Sequence, residues 1–117
     1  MASLNKIMLI GRLVKDPELR FTTNGTATAK FTLAVDRNFK KEGEEPETDF
    51  LNIILWRALA ENCSKYLSKG SLAMVEGRLQ IRSYVNDNDE KKWMTEIVAN
   101  NVQFLDGKKQ ETEEEYN

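Results

Sequence analysis

The chain has 117 residues, 40% of them hydrophobic and 31% charged, with a formal net charge of −2; this suits one domain around one core. One cysteine and no histidine exclude an intramolecular disulfide, a Cys/His metal site and a histidine-based triad within the chain. No apolar run approaches the ~20 residues of a membrane span, and MASLNKIMLIGRL, interrupted by Gly11 and Arg12, lacks a secretory layout, so a cytoplasmic protein is expected.

Charge is unevenly placed. Residues 1–40 carry seven Lys/Arg against three Asp/Glu, and residues 63–105 carry six against five. The acid gathers in KEGEEPETD (41–49) and in DGKKQETEEEYN (106–117). Neither stretch has apolar periodicity, so the first reads as a loop and the second as a disordered tail. Without them the body is basic.

In chain order, NKIMLIGRLVKD (5–16) reads as a long strand. DPE follows, then a turn at Thr23-Asn24-Gly25, a strong turn signal. ATAKFTLAVDRNF (27–39) is the second strand, with Phe31, Leu33 and Val35 on one face and Lys30, Thr32 and Asp36 on the other. DFLNIILW is the third. RALAENCSKYLSKG (57–70) changes to helical period through Leu59, Cys63, Tyr66 and Leu67, and Gly70 sits where a C-cap glycine is expected. SLAMVEGRLQIRSY (71–84) is the fourth strand, NDNDEKK (86–92) a polar turn, and WMTEIVANNVQFL (93–105) the fifth strand, bending near Asn100-Asn101. Gly11 and Gly77 lie inside strands, in LIGRL and VEGRL, which suits bulges or sharp bends. Three strands, a short helix and two strands is the element order of an OB-fold, an all-β five-stranded Greek-key barrel with one helix.

The third strand places Leu51, Ile53 and Leu55 on one face, a candidate core. Phe50, Asn52, Ile54 and Trp56 share the other. The fourth strand places Arg78, Gln80, Arg82 and Tyr84 together, and Phe39 stands beside Arg37, Asn38, Lys40 and Lys41. Rings interleaved with cations suit single-stranded nucleic acid: unpaired bases stack at about 1–3 kcal/mol each while Lys/Arg neutralise phosphates. The competing reading has Phe50 and Trp56 covering an oligomer interface. Trp93 and Tyr66 are assigned to packing.

The stretches 5–39, 48–84 and 94–105 closely resemble the bacterial-type single-stranded DNA-binding protein family, and the resemblance runs over nearly all of residues 3–106. Its most specific pieces are the Asn5-Lys6 opening with Gly11 and Leu13, DPELR (16–20), the run from Ala60-Glu61 through Tyr66-Leu67 to Lys69-Gly70-Ser71, and Glu76-Gly77 with Leu79. The resemblance implies an OB-fold, a homotetramer formed by dimers that pair through β-strands, and sequence-independent binding and protection of single-stranded DNA in replication, recombination and repair. It implies a nucleoid-associated cytoplasmic protein, with no catalysis and no cofactor. The family's stacking aromatics map onto Phe39, Phe50, Trp56 and Tyr84, some of which are Trp in relatives. Positions similar to its phosphate contacts are Lys6, Arg12, Arg37, Lys69, Arg78 and Arg82. The expected division is a DNA-binding domain over 1–106 and a short acidic tail over 107–117.

One departure stands out. Family members continue into a Gly/Pro/Gln/Asn-rich linker and an acidic tip ending in Pro-Phe, which recruits replication and repair proteins; this sequence ends in KKQETEEEYN, which reads as a solubilising tail or a rudimentary tip and leaves recruitment of replication and repair proteins an open expectation. Two other classes compete with this reading. A protein-interaction module would use the same face for a protein. A nuclease would need clustered carboxylates, yet the face strands carry only Asp36 and Glu76 near their ends.

Overall fold

The computed structural model describes residues 2–38, 42–43 and 45–106. Phe39, Lys40 and Lys41 and the tail 107–117 lie outside the described residues. The elements are β1 (Ile7–Leu13), β2 (Glu18–Phe21), β3 (Ala27–Asp36), β4 (Thr48–Trp56), α1 (Arg57–Tyr66), β5 (Leu72–Val85) and β6 (Lys91–Phe104).

The sheet order is β1-β5-β6-β4-β3-β2, and a further β1–β3 pairing, Arg12↔Ala34 and Leu13↔Leu33, closes five of the strands into a barrel. This is the expected OB-fold. All pairings are antiparallel except β4–β6, which is parallel. The inward faces follow from alternation. Phe31, Leu33, Ile53, Leu55, Val75 and Ile97 fill the interior, and α1 closes one end with Ala60 and Cys63. Burial pushes the Cys63 thiol up to about 12, so it is an apolar filler rather than a nucleophile.

Several boundaries move. β2, ELRF, was expected as connection: it is four residues long and exposed throughout, so no buried face marks it. The Asn24-Gly25 turn therefore joins β2 to β3, with Gly25 N–H donating to Thr22 O at 2.8 Å. Gly70 is not the helix cap. The helix ends at Tyr66 with Leu67 extended as its C-cap, and Gly70 lies in the next turn, its N–H donating to Leu13 O at 2.8 Å. The bend expected near Asn100 is a β-bulge: Glu76 pairs with Asn101 and Gly77 with Ala99, leaving Asn100 the extra residue, while β6 runs on unbroken.

The mid-strand glycines answer to close approach. A Cβ on Gly11 would lie 2.3 Å from Ala34 O, and one on Gly77 2.2 Å from Val98 O. Both are points where the closing barrel presses two backbones together.

Strand β4 passes straight into α1. Trp56 is the N-cap with no side-chain capping bond, and Arg57 turns the chain with φ +59°. A non-glycine residue pays about 1–2 kcal/mol there. Arg57→Gly is expected to raise stability by about 1 kcal/mol, as read from thermal melts; an unchanged or lower Tm would show that the helix start gains nothing from relief.

Candidate nucleic-acid interface

The outward faces of β3, β4, β6 and β5 form one wall. Register sets Lys30, Ile54, Val98 and Arg78 in one row and Thr32, Asn52, Glu96 and Gln80 in the next. Phe50 and Trp56 stand at either end of the β4 segment of this wall, 65% and 43% exposed. Their exposure has a simple cause. Leu51, Ile53 and Leu55 turn inward, and strict alternation sends the rings and Asn52 outward. Arg78 is exposed beside them and donates Nη1–H to Gln80 Oε1 at 3.2 Å.

Tyr84 lies farther out. Strands β5 and β6 outrun the barrel and continue as a two-stranded arm to a turn at residues 86–90, where Asn86 Oδ1 accepts from the N–H groups of Asn88 and Glu90, each at 2.9 Å. Tyr84 pairs with Lys92 across the arm and is 40% exposed. The opposite arm face carries exposed Leu79, Ile81, Val85 and Trp93. Trp93 is thus not a packing residue: the strand that bears it has left the barrel, and Lys91 Nζ sits 5.7 Å from its ring centre. Tyr66, also assigned to packing, is half exposed and lies tilted against Phe104 with ring centres 6.1 Å apart.

The six nominated cations are dispersed. Arg78 and Arg82 lie on the wall, Arg37 follows the end of β3, and Lys69 lies in the turn after α1. Lys6 and Arg12 sit at β1, which β5 and β6 separate from β4 on one side and β3 on the other. Four of the six hold carboxylates: Lys6 with Glu76 at 3.0 Å, Arg12 with Asp106 at 3.3 Å, Arg37 with Asp49 at 3.0 Å and with Glu47, and Arg82 with Glu96 at 2.9 Å. Arg12 also donates to Gly70 O at 2.9 Å, bracing the turn after α1. Hydrogen bonds from Arg37 hold the Asp49 carboxyl below the usual carboxylate range, and those from Lys6 do the same for Glu76. The pairs of Lys6, Arg12 and Arg37 lie at the surface, where such pairs are weak and screened by salt, so a phosphate can compete for these three cations. Lys69 and Arg78 have no carboxylate partner among the described residues.

Glu96 is the residue that sequence reasoning missed. It points outward with the polar row, yet it is only 3% exposed. Arg82 covers it with two bonds, Nε–H to Oε1 at 3.1 Å and Nη2–H to Oε2 at 2.9 Å. Those bonds hold its carboxyl below the ordinary range although burial pulls the other way. The partners lie on adjacent strands far apart in sequence, so no spacing announces them. Lys15 and Lys30 were also missed. They line a groove of about 340 Å³ with Thr32, Asn52, Arg82 and Glu96. A second groove of about 420 Å³ shares Ile54, Arg82 and Glu96 and reaches Trp56 and Arg78. For Lys30 a signal existed, since alternation had placed it opposite Phe31. A hollow of about 690 Å³ lies elsewhere, against Met8, Ile10, Met74 and Arg37, and no ring lines it among the described residues.

Comparison with known proteins gives the same direction. A family model described as "Single-strand binding protein family" matches residues 4–105. The chain is 53% identical over 103 residues to the single-stranded DNA-binding protein of Halalkalibacterium halodurans, covering 88% of this chain and 61% of that one. It is 56% identical over 104 residues to single-stranded DNA-binding protein 3 of Clostridium acetobutylicum, covering 88% and 72%. The structure of a Plasmodium falciparum SSB complex with ssDNA superposes with a TM-score of 0.82 at 34% identity, covering 91% of this chain and 98% of that one. The chain thus spans about three-fifths of the length of the first of these relatives. With an OB barrel, an aromatic wall and a match over nearly its whole described length, the chain belongs to the single-strand binding protein family.

Proposed function

We propose that the chain binds single-stranded DNA without regard to sequence, and that it acts by binding rather than catalysis. Phe50, Trp56 and Tyr84, with Phe39, receive stacked bases, while Lys69 and Arg78 neutralise the backbone, joined by Lys6, Arg12 and Arg37 where phosphate displaces a carboxylate and by the exposed part of Arg82, which keeps its bonds to Glu96. The observation that carries this reading is the pair of exposed rings, Phe50 and Trp56, flanking Asn52 and Ile54 with Arg78 alongside. Duplex DNA hides the base faces such rings need, which gives selectivity for single strands. The Plasmodium protein, whose fold this chain shares, is seen with single-stranded DNA.

The domain lies in residues 1–106, with 107–117 as an acidic appendage. The assembly is a homotetramer: exposed Met8 and Ile10 with half-buried Met74 give the β1–β5 wall an apolar surface fit for a second copy. The setting is replication, recombination and repair in the bacterial cytoplasm. No helix among the described residues is long and apolar enough to cross a membrane.

Titration with dT oligomers at two salt concentrations, following tryptophan fluorescence, tests the reading, with light scattering on the same sample for the tetramer. Tight quenching that weakens with salt and is absent with duplex is expected. Absence of quenching at low salt assigns the wall to a protein partner. Trp56→Ala is expected to lose about 1–3 kcal/mol of binding, by a similar factor for dT, dC and dA oligomers. A loss confined to one base would point to base-edge readout instead.

A further inference from the structure

Strand β1 makes its last ladder pair at Ile7, opposite Gly77. Beyond it β5 continues into the arm that carries Gln80, Arg82 and Tyr84. The antiparallel register, carried two residues further, sets Asn5 opposite Leu79. Asn5 is not in the strand, yet it meets Leu79 with its side chain. Nδ2 donates to Leu79 O at 2.8 Å, and Oδ1 accepts from Leu79 N–H at 2.8 Å. A primary amide offers the same donor and acceptor as a peptide group, so Asn5 stands in for the strand residue that β1 no longer supplies.

The place matters because the root of the arm lies there. The β-bulge falls between Glu76 and Gly77, opposite Asn100, and Gly77 has no side chain to wedge the two strands. Bulges bend a strand and increase its twist. β6 stays paired with β4 as far as Glu96, opposite Gln80; beyond that row the arm is a two-stranded ribbon, which has little stiffness of its own. Asn5 braces the free edge of β5 at Leu79, two residues beyond the bulge and just before that ribbon begins.

We propose that Asn5 is a positioning residue: it fixes the angle at which the arm leaves the barrel, and with it the span from Trp56 to Tyr84, without touching DNA. This rests on the single-stranded DNA reading above. A strand long enough to reach from the β4 rings to Tyr84 uses the fixed angle; a short one on the β4 rings alone does not. Freeing the arm adds an ordering cost to the first case only.

The test compares wild type, Asn5→Ala and Asn5→Asp. Asp keeps the acceptor for Leu79 N–H but sets a carboxylate against Leu79 O. Amide hydrogen exchange is read at Leu79 and Val75, and affinity is read with dT oligomers of about 4 and about 16 nucleotides, the ends of the range bound by single OB-folds. Both variants are expected to melt close to the wild type, since the two bonds lie at the surface. Leu79 should exchange faster with Val75 unchanged, and the longer oligomer should bind about five- to tenfold more weakly while the shorter binds equally. Equal loss at both lengths, or none at either, overturns the proposal while wild-type binding stands. Unchanged exchange at Leu79 overturns the clamp itself. Wild type that binds neither oligomer overturns the DNA reading and this proposal with it.

Discussion

Gly77→Ala is expected to give a protein that melts on the order of 15 °C or more below the wild type, or that fails to accumulate in soluble form. The added methyl would sit 2.2 Å from Val98 O and 2.9 Å from Ala99 Cα. Both neighbours are backbone in β6, so no rotamer change makes room. Ordinary overpacking in a core costs about 1–3 kcal/mol because side chains move aside. Here β6 itself would have to move, and it is held by β5 on one side and by the parallel ladder to β4 on the other. Gly11→Ala meets the same obstacle at Ala34 O, 2.3 Å away. Far-UV circular dichroism melts of both variants check the claim; a Tm within a few degrees of wild type at either position would mean that the barrel opens cheaply at that seam.

Arg82→Met should invert the acid dependence of stability. In the wild type, hydrogen bonds from Arg82 hold the Glu96 carboxyl below its ordinary value against the pull of burial. A depressed folded-state value means that Glu96 contributes stability above the ordinary glutamate range, near pH 4.3, and that the contribution is lost as pH falls through the lower folded value. Without the guanidinium, burial of a side chain that is almost wholly covered is opposed only by the Gln80 hydrogen bond and the Lys30 charge, the lesser of the lowering influences, and the folded-state value is expected to rise above the ordinary one. The variant is then most stable near pH 4 and loses stability as pH climbs through the raised value. The Tm gap between the two proteins should be narrow near pH 4 and wide, on the order of 10 °C, at pH 7. A gap that does not change with pH would show that Glu96 is not the buried charge. The double variant Arg82→Met/Glu96→Leu should recover much of the loss, because an apolar pair of similar volume leaves no orphaned charge.

Alternation made the core legible: Leu33, Ile53 and Leu55 lie where a period of two places them, and Phe50 and Trp56 emerge on the other face for the same reason. It failed at Leu79 and Ile81, which continue the inward face of Val75 but are exposed. Period tells which face a side chain takes; it does not tell where the barrel stops. Strand β2 escaped because a short strand exposed throughout has no apolar phase. Arg82 was nominated as a phosphate contact, but its bond to Glu96 depends on the pairing of β5 with β6, and the Asn52–Glu96 neighbourhood on a parallel ladder that no turn signals.

The ring closure described above also dictates an order of events. Ile7 finds its partner only at Gly77, and Leu13 meets Leu33. While the chain is being synthesised, the first strand to leave the ribosome therefore waits without its main ladder until β5 has followed it. The β3–β4 and β5–β6 pairs can form from nearby sequence, but the barrel cannot shut without a long loop closure. High contact order of this kind belongs to folding in roughly milliseconds to seconds rather than microseconds. Throughout that interval Met8 and Ile10 travel on an unpaired strand, and the N-terminal segment is the part of the molecule most in need of protection from its neighbours.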